Sequence, residues 1–172
     1  FYTPNDVHVA PDGSIFVGEG HSSAEGTPNR VLKFDADGNF LFSFGEWGEE
    51  PGNFRQPHSL AMDSRGRLFV ADRGNNRIQI FDAEGVYLEE WTDLIGPGDI
   101  FFAGDTVYVL EQGGGSGISV WTLNGELITR WRGNPDACRA AHGGAVDSNG
   151  NLYIAEIGEP GNGQRVTKFS QI

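Results

Sequence analysis

Residues 57–91 read PHSLAMDSRGRLFVADRGNNRIQIFDAEGVYLEEW, and this stretch decides the fold. It contains four short runs rich in β-branched and aromatic residues, at 57–62, 67–72, 77–82 and 86–91. Clusters of Gly, Asn, Asp and Ser separate the runs. Such runs and clusters predict strands joined by tight turns. The stretch therefore predicts one small four-stranded sheet whose strands alternate in direction.

The same unit recurs along the chain. Second strands are predicted at 14–19, 67–72, 106–111 and 151–156, and each ends in a carboxylate. Third strands are predicted at 30–34, 77–81, 117–121 and 165–169, and fourth strands at 39–44, 86–91 and 126–131. Four-stranded units at a period of roughly 40 to 50 residues predict an all-β fold, a β-propeller. Stacked blades are expected because one such sheet cannot bury both faces.

Composition limits the function. The chain of 172 residues is long enough for one domain, 1–172, with blades at about 4–47, 57–91, 97–131 and 141–172. The net charge of −12 argues against nucleic acid and anionic membranes as partners. No apolar run approaches the roughly 20 residues of a membrane span. Cys138 is the single cysteine, so an intramolecular disulfide is excluded and an inert thiol is expected.

Two segments of this repeat resemble known families. DRGNNRIQIF at 72–81 resembles the NHL repeat, which implies a propeller of NHL-type blades. PHSLA at 57–61, followed by VADR at 70–73, resembles the peptidyl-α-hydroxyglycine α-amidating lyases and their bacterial six-bladed relatives. The second resemblance implies cleavage of a C–N bond to give a peptide amide and glyoxylate. It also favours a secreted or periplasmic location.

The ends of the repeat pattern leave two architectures open. The chain starts directly on an innermost strand and stops on a third strand, so a blade edge is expected to be unpaired. One explanation is that these are the last four blades of a six-bladed propeller, as the lyase resemblance implies. The other is a four-bladed ring, or an assembly with self-association through open blade edges.

Four side chains are expected at one mouth of the propeller channel. Because blade strands alternate in direction, the start of the innermost strand and the end of the second strand share a face. This places His21, His58, Arg73 and His142 together. A peptide or small-molecule ligand is expected there, since loops at one end of a β-scaffold commonly carry function.

The four residues have candidate roles. His58 and His142 occupy the same repeat position, and imidazoles are common Zn²⁺ ligands. In the lyases, three histidines at this position hold a catalytic zinc, so the resemblance implies that His58 and His142 are two metal ligands. It also implies that Arg73 lies near the substrate carboxylate. His21 falls near a family tyrosine and is the candidate base. Besides Zn²⁺, a structural Ca²⁺ is a further expectation.

Alternatives with no chemistry stay open. Both channel histidines could be solvated, and Arg73 could pair with its neighbour Asp72. The carboxylates that end the second strands are expected to be structural acceptors of loop amides; they are Glu19, Asp72, Glu111 and Glu156. A non-catalytic NHL module that binds a protein or peptide, or that self-assembles, is therefore the rival to the lyase.

Overall fold

The computed structural model describes residues 1–22, 24–114, 116–132, 140–157 and 165–170. Cys138 lies outside these residues. The described chain forms fifteen strands and one short 3-10 helix, Arg73–Asn75. None of its helical segments is long and apolar enough to cross a bilayer. The all-β prediction is confirmed.

The strands form four antiparallel sheets in sequence order, here called blades one to four. Blade one comprises β1 (Pro4–Val9), β2 (Ile15–Glu19), β3 (Arg30–Phe34) and β4 (Phe40–Phe44). Blade two comprises β5 (Pro57–Met62), β6 (Leu68–Asp72), β7 (Arg77–Phe81) and β8 (Tyr87–Trp91). Blade three comprises β9 (Pro97–Ala103), β10 (Thr106–Glu111), β11 (Gly117–Thr122) and β12 (Leu127–Arg132). Blade four comprises β13 (Ala141–Val146), β14 (Leu152–Glu156) and β15 (Arg165–Phe169). These are the blades of the predicted β-propeller.

The chain divides into two compact units, Phe1–Gly96 and Pro97–Ile172. In the first unit, side chains of blades one and two share a core that includes Phe16, Leu60 and Val70. In the second unit, Leu110 of blade three and Ile154 of blade four belong to one core. Within each unit, two sheets thus bury a face against each other, as stacked blades must.

The hairpins inside the blades have a local cause. Asp63 follows β5, and one of its carboxylate oxygens accepts the amides of Arg65 and Arg67 at 2.9 Å each. Gly66 completes this turn with a φ of 77°, which glycine adopts without strain. Asp147 repeats the arrangement in blade four. An aspartate followed three residues later by glycine therefore encodes the turn in the sequence.

Candidate functional site

The first strand of every blade carries a bulge at its second residue. In blade two, Pro57 pairs with Asp72 and Ser59 pairs with Ala71, so the register shifts at His58. The same shift occurs at the equivalent residues of the other blades, which are Asn5, Gly98 and His142. A bulge bends the strand and redirects a side chain, and bulges are common beside active sites. The sequence predicted the shared position of these residues but not the bulge.

A second backbone feature precedes the bulge. Thr3, Gln56 and Gly96 each stand directly before the proline that opens a first strand, and their φ angles are 48°, 64° and 58°. In blades one and two the carbonyl of this residue accepts a backbone N–H from the residue after the buried carboxylate. Arg73 donates to Gln56 at 3.0 Å, and Gly20 donates to Thr3 at 3.1 Å. In these two blades the backbone thus fixes where the residue after the carboxylate lies.

Three predicted site residues meet in the first unit. The rings of His21 and His58 lie with their centroids 5.4 Å apart at an angle of 50°. His58 is 7% exposed at the start of β5, whereas His21 is exposed in the loop after β2. The Gln56 amide donates to the His21 carbonyl oxygen at 3.2 Å and accepts from Arg73 Nε at 3.2 Å. His21, His58 and Arg73 therefore belong to one cluster, joined through Gln56.

Arg73 is the first residue of the 3-10 helix, which follows directly after β6. Arg73 is half-buried, and burial lowers the pKa of its guanidinium below the ordinary value for arginine. A guanidinium in such a place remains charged at neutral pH. Arg77 forms an ion pair with Asp72 at 2.9 Å.

The carboxylates that end the second strands are structural, as predicted. Loop amides donate to two of them, Tyr2 N–H to Glu19 and Arg55 N–H to Asp72, and guanidinium groups are further partners. Their side chains are fully buried in all four blades. In three blades an arginine at the facing start of the third strand forms the ion pair; the pairs are Arg30–Glu19, Arg77–Asp72 and Arg165–Glu156. In blade three, Arg130 and Arg132 of β12 bind Glu111 instead.

The metal prediction concerns both units. His142 lies at the bulge of β13 in the second unit and is half-buried. Among the described residues, no group of three or more His, Cys, Asp or Glu side chains is placed to hold one ion. His58 and His142 stay predicted ligands, and two imidazoles are fewer than the three protein ligands of common catalytic zinc sites.

Gln56 and Asn29 are the site residues that sequence reasoning missed. Asn29 is fully buried, and its side-chain oxygen accepts a hydrogen bond from the backbone N–H of Gln56 at 2.8 Å. The sequence signal for Gln56 is its place directly before Pro57, because local preferences do not explain a glutamine at that position. Its role depends on a contact with His21, which is 35 residues away in the chain.

Comparisons with known proteins agree with the fold and the repeat. The NHL repeat profile matches residues 54–81. The chain is 38% identical over 114 residues to NHL repeat-containing protein 3 of Homo sapiens, covering 64% of this chain and 32% of that protein. It is 42% identical over 86 residues to a probable peptidyl-alpha-hydroxyglycine alpha-amidating lyase of Caenorhabditis elegans, covering 48% of this chain and 23% of that protein.

Solved structures show the same fold at low identity. The hydrazine synthase of Kuenenia stuttgartiensis superposes with a TM-score of 0.76 and 15% identity, over 97% of this chain and 46% of that one. The chain contains an NHL repeat at residues 54–81 and has the fold of a β-propeller. It is similar to the amidating lyases, and it spans a third or less of the length of these curated relatives.

Proposed function

We propose that this chain carries part of the active site of a metal-dependent peptidyl-α-hydroxyglycine α-amidating lyase. The observation that carries the proposal is the cluster of His21, His58 and Arg73 at the bulge of blade two. The rings of the two histidines are in contact, and Gln56 joins the His21 loop to Arg73. The similarity to the C. elegans lyase supports the same assignment.

The substrate of such a lyase carries a carboxylate, which Arg73 would bind. A guanidinium offers two parallel N–H donors to the two carboxylate oxygens. Its attraction to a carboxylate is stronger at a half-buried position than in water. Arg73 Nε is held by Gln56 at 3.2 Å, which restricts the orientation of the guanidinium plane. The proposal therefore gives Arg73 the role of orienting the substrate.

His21 would move the proton. Cleavage removes the hydroxyl proton, forms the carbonyl of glyoxylate, breaks the C–N bond and returns a proton to the amide nitrogen. An imidazole can accept the first proton and donate the second. His21 is exposed, and its backbone is held on both sides, by Thr3 Oγ1 at 3.1 Å and by Gln56. This holds the loop at a fixed place beside His58.

His58 of the first unit and His142 of the second unit are each proposed as a ligand of a zinc ion. When bound, the ion would act as a Lewis acid on the substrate hydroxyl. His58 is mostly buried at a bulge, which limits its rotamers and suits a ligand position.

The test is an assay for glyoxylate with an N-acyl-α-hydroxyglycine as substrate. We expect equal amounts of glyoxylate and amide, loss of product with a chelator, and recovery with Zn²⁺. R73Q should raise KM roughly tenfold, because it removes one charge-assisted contact. H8N is the matched control, since His8 lies in β1 outside the cluster. Product formation that survives H58A and chelation would contradict the proposal, as would no product above the protein-free rate.

A second function, self-association, is favoured by two exposed sheet positions. Val7 of β1 is 60% exposed, whereas Leu60, at the same repeat position in blade two, is 4% exposed and packs on blade one. Val166 of β15 is 68% exposed, whereas its equivalent Val31 is fully buried. We propose that the sheet faces around Val7 and Val166 pack on blades of a second copy.

Light scattering after size exclusion tests this second proposal. We expect the wild-type particle to exceed the mass of one chain, and V7K or V166K to reduce it. V86K is the control, because Val86 is exposed in the turn before β8 rather than at these faces. A wild-type particle with the mass of one chain at tens of micromolar protein would exclude self-association.

A further inference from the structure

Gln56 has a backbone conformation that its residue type disfavours. Its φ is 64°, and it precedes Pro57, where residues are normally extended. A residue with a Cβ is strained at such an angle, and strain of this kind is concentrated at functional sites. Blade three has Gly96 at the equivalent position with a φ of 58°. Blade two thus keeps a long side chain where glycine would be less strained.

Contacts from two directions hold this conformation. On one side the backbone N–H of Gln56 donates to the buried Asn29 side chain of blade one at 2.8 Å. On the other side its carbonyl accepts the Arg73 N–H at 3.0 Å. These two contacts involve only the Gln56 backbone, so the side chain is available for contacts of its own.

The side chain uses both ends of its amide. Its oxygen accepts from Arg73 Nε and its nitrogen donates to the His21 carbonyl, each at 3.2 Å. A carboxylate at this place would supply only the acceptor, and a hydroxyl would not reach both groups. Glutamine therefore matches the pair of partners that blades two and one present.

We infer that Gln56 is a positioning residue that fixes the Arg73 guanidinium and ties it to the loop of His21. What Arg73 binds rests on the function proposed above, whereas the link between the two residues does not. The positive φ recurs at Thr3 and Gly96 in the other blades, but in blade two this position carries an amide that contacts two residues from different blades.

Substitutions at this one position separate the role from stability. Q56G should keep or raise the melting temperature, because glycine removes the strain at positive φ. It should raise KM for an N-acyl-α-hydroxyglycine about fivefold to tenfold, which is the effect of losing one hydrogen bond of typical strength. Q56E should recover most of that KM, since it restores the acceptor for Arg73. N76G is the control, because Asn76 also has a positive φ of 56° in blade two but does not bridge the cluster.

A second measurement does not need activity. In ¹⁵N NMR the signal of the Arg73 Nε–Hε group should report a rigid group in the wild type, in Q56E and in N76G. In Q56G it should report a mobile group. If the wild type releases no glyoxylate, the proposed reaction fails and this signal still decides the role of Gln56. An unchanged Arg73 signal in Q56G would overturn the inference. So would a large fall in its melting temperature, which would make Gln56 a structural residue only.

Discussion

At the bulge position blade two has His58, and blade three has Gly98. At the position after the buried carboxylate the two blades have Arg73 and Gln112. A Cβ built on Gly98 would lie 2.3 Å from the Gln112 side chain, so Gln112 fills the space that a side chain at 98 would need. The bulge is the same in both blades. The repeat thus supplies a common backbone, and single side chains decide whether it carries a candidate site.

The buried carboxylates show the same contrast. In blade two, Arg77 faces Asp72 across the ladder and binds it. In blade three, the residue facing Glu111 is Gly117, and Arg132 pairs with Gly117 on the next strand and binds Glu111 from there. The need for a cation beside a buried carboxylate is therefore met from different strands.

The largest expected effect comes from removing Arg77. R77A leaves Asp72 buried without its ion pair, and we expect a loss of about 3–5 kcal/mol in the free energy of unfolding. R132A should cost clearly less, because Arg130 still binds Glu111 at 3.1 Å. Urea unfolding followed by tryptophan fluorescence measures both. Equal losses in the two variants would show that Arg130 does not compensate for the loss of Arg132.

The pH dependence of stability should distinguish Asp72 next. Burial raises the pKa of Asp72 to about 6 from 3.8, while hydrogen bonds from Asn75, the Arg55 backbone and Arg77 oppose the rise. Because the folded pKa is the higher one, this contribution is fully present below pH 3.8 and is lost as pH rises through 6. The loss should be about 3 kcal/mol for a shift of this size.

The variant D72N isolates that contribution. Its free energy of unfolding should lack this decline, so the difference between wild type and D72N should change between pH 4 and pH 7. Profiles that run parallel over this range would contradict a raised pKa at Asp72.

The smallest expected effect is at Gly98. G98A should destabilise by about 1 kcal/mol, because its Cβ forces the Gln112 side chain to move. The double variant G98A/Q112A should recover most of the loss. G143A is the matched control, since a Cβ there meets no atom within 4 Å. Calorimetric unfolding checks all three, and a G98A protein as stable as G143A would show that Gln112 does not fill this space.

Local patterns predicted the blades well. The alternation of β-branched and aromatic residues, together with turns such as the one at Asp63, depends on neighbours in the chain. Counting residues along the repeat also placed His58 and His142 at one position, which the shared bulge confirms. The metal and catalytic roles of these residues stay predictions.

Strand and turn preferences are local and repeated, so the amino-acid sequence was enough to predict an all-β protein with NHL-type blades. Three features became visible in the folded chain alone: the positive φ of Gln56, the ring contact of His21 with His58, and the packing of the Gln112 side chain against Gly98. These features join residues that are distant in the chain and differ between copies of the repeat. Packing between strands and blades decides them, and no local pattern records it.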